Sequence, residues 1–399
     1  MINRILSFAF VCILASSANP VFGASINETA LRILTDSPEF ASENYNLESE
    51  CLALATAANL PDPEVGGEYL VMPRDVVNRW AAEITWGLEW PGVYGARSKE
   101  AKMKMSSAQK ALIAARAERL AEIKDLLLDY VRCRSKLLLL EELSQNNDTI
   151  YKLAEQAARG GEMTLLDLNK VRLEYANIRV AKATLLDEEA ELMAEISKIY
   201  GKNCSDLLAA MECEFPEIIL PSEEQLQLIK ENAPAVQSAL AEAEAARKAK
   251  KVLKMEALPS LTVGYKHQYE DLMHFNGAIL GISIPIFSSR GKQKAANAEI
   301  LNAEYKAEAA ALEAESEAMA TMRRLELILR QIEEIAPIIE NADYNATLLK
   351  AYQNRVITLI EYISDRNYFT NAAMELVSLR HNAAKAQAFL QRYLSPPSF

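Results

Sequence analysis

"WAAEITWGLEWP", residues 80–91, holds all three tryptophans of a 399-residue chain in which only 7% of residues are aromatic. Trp80, Ala82, Ile84, Trp86, Leu88 and Trp90 share one parity, and Ala81, Glu83, Thr85, Gly87 and Glu89 the other. Alternation of this kind is the period of a strand with one apolar and one polar face. The whole chain has only 13 glycines, 14 prolines near a few boundaries, and long alanine-rich stretches such as "AEYKAEAAALEAESEAMA", which read as helix. The fold turns on how strands of this type combine with such helices.

Working outward, the chain repeats itself. "LPDPEVGGEY" from Leu60 resembles "LPSLTVGYKH" from Leu258, "WGLEWPGVYGAR" resembles "LGISIPIFSSRG", and "MTLLDLNKVRLEY" from Met163 resembles "ITLIEYISDRNYF" from Ile357. Pro91 and Pro285 are 194 residues apart, as are Thr164 and Thr358. Each half reads as helix, strand, turn, strand, long helix, tight turn, helix. Strands are predicted at about 63–72 and 80–90, then 260–270 and 276–287. Long helices are predicted at about 97–159 and 291–354, the second interrupted near Pro337, with hairpin tips at 160–164 and 354–358. Shorter helices, about 28–59 and 223–257, precede the strands. The repeats are then residues 24–203 and 222–395, joined by a linker at 204–221.

The first 23 residues carry Arg4, an apolar run from Ile5 to Ala15 and small residues up to Gly23, the pattern of a secretory leader. Beyond them no stretch is long and apolar enough for a membrane-spanning helix. Loss of Arg4 takes the formal charge from -12 to -13, which argues against nucleic acid as a partner. Cys204 and Cys213 could form a local disulfide in an oxidising compartment or remain thiols.

Strands of about ten residues with aromatic ends match tilted transmembrane strands, and the flanking helices are too long to fold back over a small sheet. Trp80, Trp86, Trp90, Leu261, Val263, Tyr265, Ile282 and Ile284 are therefore expected to face lipid. Four strands in hydrocarbon leave two unpaired edges, and transmembrane barrels start at about eight strands, so one chain cannot close. Several copies must share a barrel; the physics of the sequence allows two, three or more.

The duplicated unit, the "ALPSLTVGY" approach to a strand, the "GISIPIFSSRGK" exit into a long helix and the "GEMTLLDL" hairpin tip resemble the TolC family of outer-membrane efflux channels over nearly the whole mature chain. The resemblance implies a mainly α fold with a small β part. In it a homotrimer builds a 12-stranded outer-membrane β-barrel, continued by a long periplasmic α-helical barrel. It implies passive conduction from an inner-membrane pump through a periplasmic adaptor, as in tripartite efflux or type I secretion. By the same resemblance, Gly160, Gly161, Thr164, Leu165, Thr358 and Leu359 match adaptor-docking tips, and Asp167, Glu361 and Arg355 are candidates for the periplasmic gate. Arg355 stands where the family prefers glycine. A carboxylate ring would attract cations and resist closure; the plainer account is that Asp167 and Glu361 stabilise helix N-termini.

His267 and His274 flank the second strand turn, but two histidines alone do not make a coordination sphere, and neither a metal site nor a cofactor is expected. No H-E-x-x-H, G-x-S-x-G or phosphate-cradling glycine loop occurs, so no enzyme is expected. The rival reading is a periplasmic helical-hairpin adaptor or scaffold, which would share the helices and have no use for paired amphipathic strands.

Overall fold

The computed structural model describes residues 24–73, 77–287, 290–340 and 344–394. The expected leader, residues 1–23, lies outside the described residues. In chain order the elements are α1 (Ile26–Thr35), α2 (Pro38–Thr56), β1 (Glu64–Leu70), β2 (Arg79–Leu88), α3 (Pro91–Arg159), α4 (Leu165–Tyr200) and α5 (Ser205–Ala209). They continue with α6 (Glu223–Asn232), α7 (Pro234–Glu256), β3 (Ser260–Glu270), β4 (Met273–Ser283), α8 (Lys292–Glu340), α9 (Tyr344–Gln353) and α10 (Leu359–Leu394).

The four strands form one antiparallel sheet in the order β1-β2-β3-β4, so β1 and β4 are its free edges. Its central pairing, β2 with β3, joins the two halves of the chain, with Ile84 opposite Tyr265 and Trp86 opposite Val263. The β3–β4 hairpin turns on two residues, Asp271 and Leu272, both with left-handed φ of 50° and 64°. That is the conformation of a type I′ turn, whose twist matches the strands it connects. Gly264 is where β3 crosses β2 most tightly, since a Cβ there would lie 2.6 Å from the Ile84 carbonyl oxygen.

Prolines decide where strands become helices. β2 stops at Leu88, and α3 begins at Pro91, which needs no amide hydrogen at the first helical position. Trp90, expected at the end of a strand, instead precedes the first turn of α3. Strand β4 runs about three residues earlier than expected, and Ile284 lies just past its end, next to Pro285, which cannot donate to a ladder. The helices before the strands, expected as single pieces, each divide at a proline that opens a new helix, Pro38 or Pro234. Pro337 lies in the last turn of α8, which ends at Glu340, and α9 begins at Tyr344; residues 341–343, beside the interruption expected near Pro337, lie outside the described residues. α3 runs unbroken through the "SQNN" cluster at 144–147.

α3, with 69 residues, extends about 100 Å at 1.5 Å per residue. The shorter helices α7 and α10 both pack between α3 and α8, while α2 and α4 both lie against α3. Small side chains make close packing possible: Ala241, Ala245, Ala303, Ala307, Ala314 and Ala318 are all buried in α7 and α8. A larger apolar cluster centres on Ile33, Ile123, Leu127, Val131, Ile196 and Leu208, where α1, α3, α4 and α5 meet. Cys133, Cys204 and Cys213 are free thiols, as is Cys51, so the local disulfide allowed by the sequence does not form. Cys204 Sγ instead lies 3.2 Å from Ser197 Oγ.

Candidate functional site

The register gathers most of the large apolar residues of the four strands on one face, although Leu70, Met273, Phe275 and Ile279 lie on the other. Level by level, Val65, Ile84, Tyr265 and Ala278 align, and Trp86, Val263 and Leu280 align below them. Toward the helices Leu88, Leu261 and Ile282 align, and toward the turn Tyr69, Trp80, Tyr269 and His274. The opposite face carries Glu64, Glu68, Arg79, Glu83, Lys266, Gln268 and Glu270, with an ion pair of 2.6 Å between Arg79 and Glu270. Alternation in β1–β3 thus becomes one mainly apolar and one charged surface, while the charged side of β4 carries Met273, Phe275, Gly277 and Ile279.

Of the residues expected to face lipid, Trp80, Trp86, Trp90, Leu261, Tyr265, Ile282 and Ile284 are exposed in the isolated chain, and Val263 is half-buried. Among the described residues no element covers the apolar face. Where the sheet meets the helices, Trp86, Trp90, Leu88, Leu261 and Ile282 line a cleft of about 570 Å³. Trp86 donates its indole N–H to the Pro61 carbonyl at 2.7 Å, leaving its rings to the apolar side.

The two hairpin tips lie together at the far end of the helices. Ile150, Ala154, Leu168 and Val171 of α3 and α4 pack with Leu348, Leu359, Tyr362 and Ile363 of α9 and α10. The two turns have the same construction. After α3, Gly161 adopts φ 75° and the Glu162 amide bonds to the Ala157 carbonyl at 2.9 Å. After α9, Arg355 adopts φ 55° and the Val356 amide bonds to the Ala351 carbonyl, also at 2.9 Å. These are Schellman-type helix ends, in which the left-handed residue closes the last turn.

Each returning helix is then capped by a threonine and an acid. Thr164 Oγ1 accepts from the Asp167 amide at 3.1 Å and donates to Asp167 Oδ2 at 2.7 Å, and Lys170 donates to Asp167 Oδ1 at 3.2 Å. Glu361 Oε2 accepts from the Thr358 amide at 2.8 Å and its hydroxyl at 2.9 Å, completing a capping box. The hydrogen bonds from Thr164 and Lys170 hold the Asp167 carboxyl below its ordinary value, and those from Thr358 do the same for Glu361. The capping role weighed for both acids in the sequence is therefore present in the fold.

The tip residues differ in what they present. Gly160, Gly161, Thr164, Thr358 and Arg355 are exposed, and Leu165 is 76% exposed. Leu359, its counterpart, is only 9% exposed and packs into the tip cluster, so its side chain is not offered to a partner. Leu166, 68% exposed, was missed by sequence reasoning. Its signal was the Leu165-Leu166-Leu168 run, which has more apolar residues than one helix face can bury.

Among the described residues no helix is long and apolar enough to cross a membrane. No protein-family model and no curated protein sequence matches the chain. Solved structures do. A membrane protein from Pseudomonas aeruginosa aligns with TM-score 0.76 and 14% identity over 92% of this chain and 90% of that one. The outer membrane protein VceC from Vibrio cholerae aligns with TM-score 0.72 and 15% identity over 93% of this chain and 96% of that one. The CmeC outer membrane channel of Campylobacter jejuni aligns with TM-score 0.71 and 13% identity over 93% of this chain and 85% of that one. At such identities the likeness establishes the fold: this chain has the TolC-like fold of outer-membrane channels, with its four strands and its long helices in one subunit.

Proposed function

We propose that the chain is the outer-membrane channel subunit of a tripartite efflux or type I secretion system. The observation that carries this reading is the sheet: four antiparallel strands that, among the described residues, leave one apolar face uncovered and both edges unpaired, with helices of barrel length leading directly from it. Water-exposed, such a sheet is an aggregation hazard. Placed in a bilayer as a third of a twelve-stranded ring, its edges are paired and its apolar face meets hydrocarbon. The accessible surface points the same way, at 26162 Å² for the 44.3 kDa chain against about 15,500 Å² for a compact monomer of that mass.

In this reading three copies form the barrel and a periplasmic helical tunnel. The charged strand face lines the pore, and the cargo passes without energy input from this chain. A periplasmic adaptor docks at the tips around Gly160, Gly161, Thr164, Leu165 and Thr358, and an inner-membrane pump drives transport. Asp167, Glu361 and Arg355 would stand at the narrow end, where a threefold ring of carboxylates favours cations. The similarity of VceC and CmeC, described as an outer membrane protein and an outer membrane channel, supports this reading.

The test is purification followed by planar-bilayer recording. The channel reading expects detergent-dependent extraction with the outer membrane, a trimer in solution, and discrete cation-preferring conductance. A water-soluble monomer without conductance overturns it.

A further inference from the structure

We propose that His267 and His274 form a binding site for one divalent transition-metal ion, of the Zn²⁺, Ni²⁺ or Cu²⁺ class, at the turn end of the β3–β4 hairpin. The two residues are not opposite one another in the register: His267 faces Asn276, and His274 faces Tyr269. They are diagonal neighbours on one sheet face, and their rings stack with centroids 5.2 Å apart and planes 25° from parallel.

The distance between their ring nitrogens carries the argument. His274 Nδ1 lies 3.2 Å from His267 Nε2. Two imidazole nitrogens each about 2.1 Å from one ion, at an angle near 100°, are separated by about 3.2 Å. The same gap in the metal-free protein fits a hydrogen bond from one ring to the other. Binding the ion requires that His274 carry its proton on Nε2 instead of Nδ1, so no net proton need be lost, and that both rings tilt so that their lone pairs meet at a point off the line between the two nitrogens.

A second observation, independent of that gap, fixes the tautomer of His267. Asn276 Oδ1 lies 2.7 Å from His267 Nδ1 and accepts from the Tyr265 hydroxyl at 2.6 Å. As an acceptor, Oδ1 selects the N–H at His267 Nδ1 and leaves the Nε2 lone pair directed at the other histidine. This is the arrangement that orients metal-ligating imidazoles, whose other nitrogen donates to a fixed oxygen. Trp80 and Tyr269 wall the pair, with ring centroids 5.2 Å from His267 and 5.0 Å from His274. This is the face that meets hydrocarbon in the proposed barrel, but the pair sits at the turn end, at the level of Trp80 and Tyr269, where the strands pass from lipid to water. His274 is exposed and His267 half-buried in the isolated chain, and water there completes the coordination.

Imidazole ligands favour Zn²⁺, Ni²⁺ and Cu²⁺ over Mg²⁺ and Ca²⁺. Among the described residues no group of three or more histidines, cysteines or acids is placed to hold a metal, so this pair has no better-furnished rival. The third and last histidine, His381, is buried 2.8 Å from Asp129 and does not compete.

The experiment is titration of tag-free purified oligomer with Zn²⁺ and Ni²⁺, followed by calorimetry and by thermal unfolding. One ion per chain and a raised Tm are expected, with no response to Mg²⁺. His267→Ala and His274→Ala should each weaken binding roughly tenfold or more, and Asn276→Ala should weaken it while preserving stoichiometry. Circular dichroism and oligomer size should stay unchanged in all three. Binding that persists undiminished in the double histidine variant, or no binding at about 1 mM ion, overturns the proposal. Neither outcome depends on whether the chain conducts.

Discussion

Gly161 and Arg355, 194 residues apart, occupy the same left-handed position at the two hairpin tips, with φ of 75° and 55°. A side chain in that conformation costs roughly 1 kcal/mol that glycine avoids. Arg355→Gly is therefore expected to stabilise the second tip by about that amount, and Gly161→Ala to destabilise the first similarly. Hydrogen exchange of the amides at 353–358 and 159–164 would read each effect locally. Faster exchange at the second tip in Arg355→Gly would contradict the strain argument.

The caps made by Asp167 and Glu361 are acid-labile. Both carboxyls titrate below their ordinary values in the folded chain because the threonine and lysine hydrogen bonds favour the charged form. Their contribution is complete above the ordinary carboxylate range and disappears as pH falls through the lowered folded values. Tip proteolysis should accelerate in that acid window, and Asp167→Asn and Glu361→Gln should flatten the pH response. If both variants also conduct with unchanged ion selectivity in a bilayer, the carboxylate gate is wrong although the caps stand.

Deeper in the helices, Asp129 joins α3 to α10. Its carboxylate lies 2.8 Å from His381 Nε2, 2.9 Å from Lys385 Nζ and 3.7 Å from Arg132. Burial alone would raise its pKa, but His381 close beside it and the hydrogen bond from Lys385 prevail and lower it to about 2. The sign is that of a depressed acid: the stabilisation holds above about 3.8 and is lost as pH falls through about 2. Because the site is partly wet, Asp129→Ala should cost about 2 kcal/mol, between a surface pair and a buried one. Denaturant titration at neutral pH checks this, and a loss under about 0.5 kcal/mol would show that solvent screens the cluster.

Gly264 has a different vulnerability. The Ile84 carbonyl oxygen would lie 2.6 Å from an added Cβ, and backbone cannot move aside without opening the β2–β3 pairing. Gly264→Ala should cost about 1–3 kcal/mol by overpacking. Since that pairing joins the two halves of the chain, the loss should appear as reduced heat resistance of the assembled oligomer. Gly277→Ala, where a Cβ meets nothing within 4 Å, is the matched control.

Much of the fold was legible because the two periodicities report directly on what a residue can bury. The Trp80–Trp90 alternation marked a strand, and the 194-residue spacing marked a duplication. Prolines read ambiguously: Pro91 opens a helix, whereas Pro337 is absorbed within one. The reason is that a missing amide hydrogen costs nothing at a helix start, whereas Pro337, in the last turn of α8, removes one ladder bond without ending the helix at its own position.

What the chain's linear order determined, then, was which faces are apolar, where helices are capped, and that four strands cannot close a barrel alone. Tertiary structure decided which strands are neighbours, and with that the union of both halves through β2 and β3. It also decided that Leu165 is exposed and Leu359 buried, and that His267 and His274 come within 3.2 Å. Periodicity fixes the side a residue faces, but only packing across distant segments fixes what it meets there.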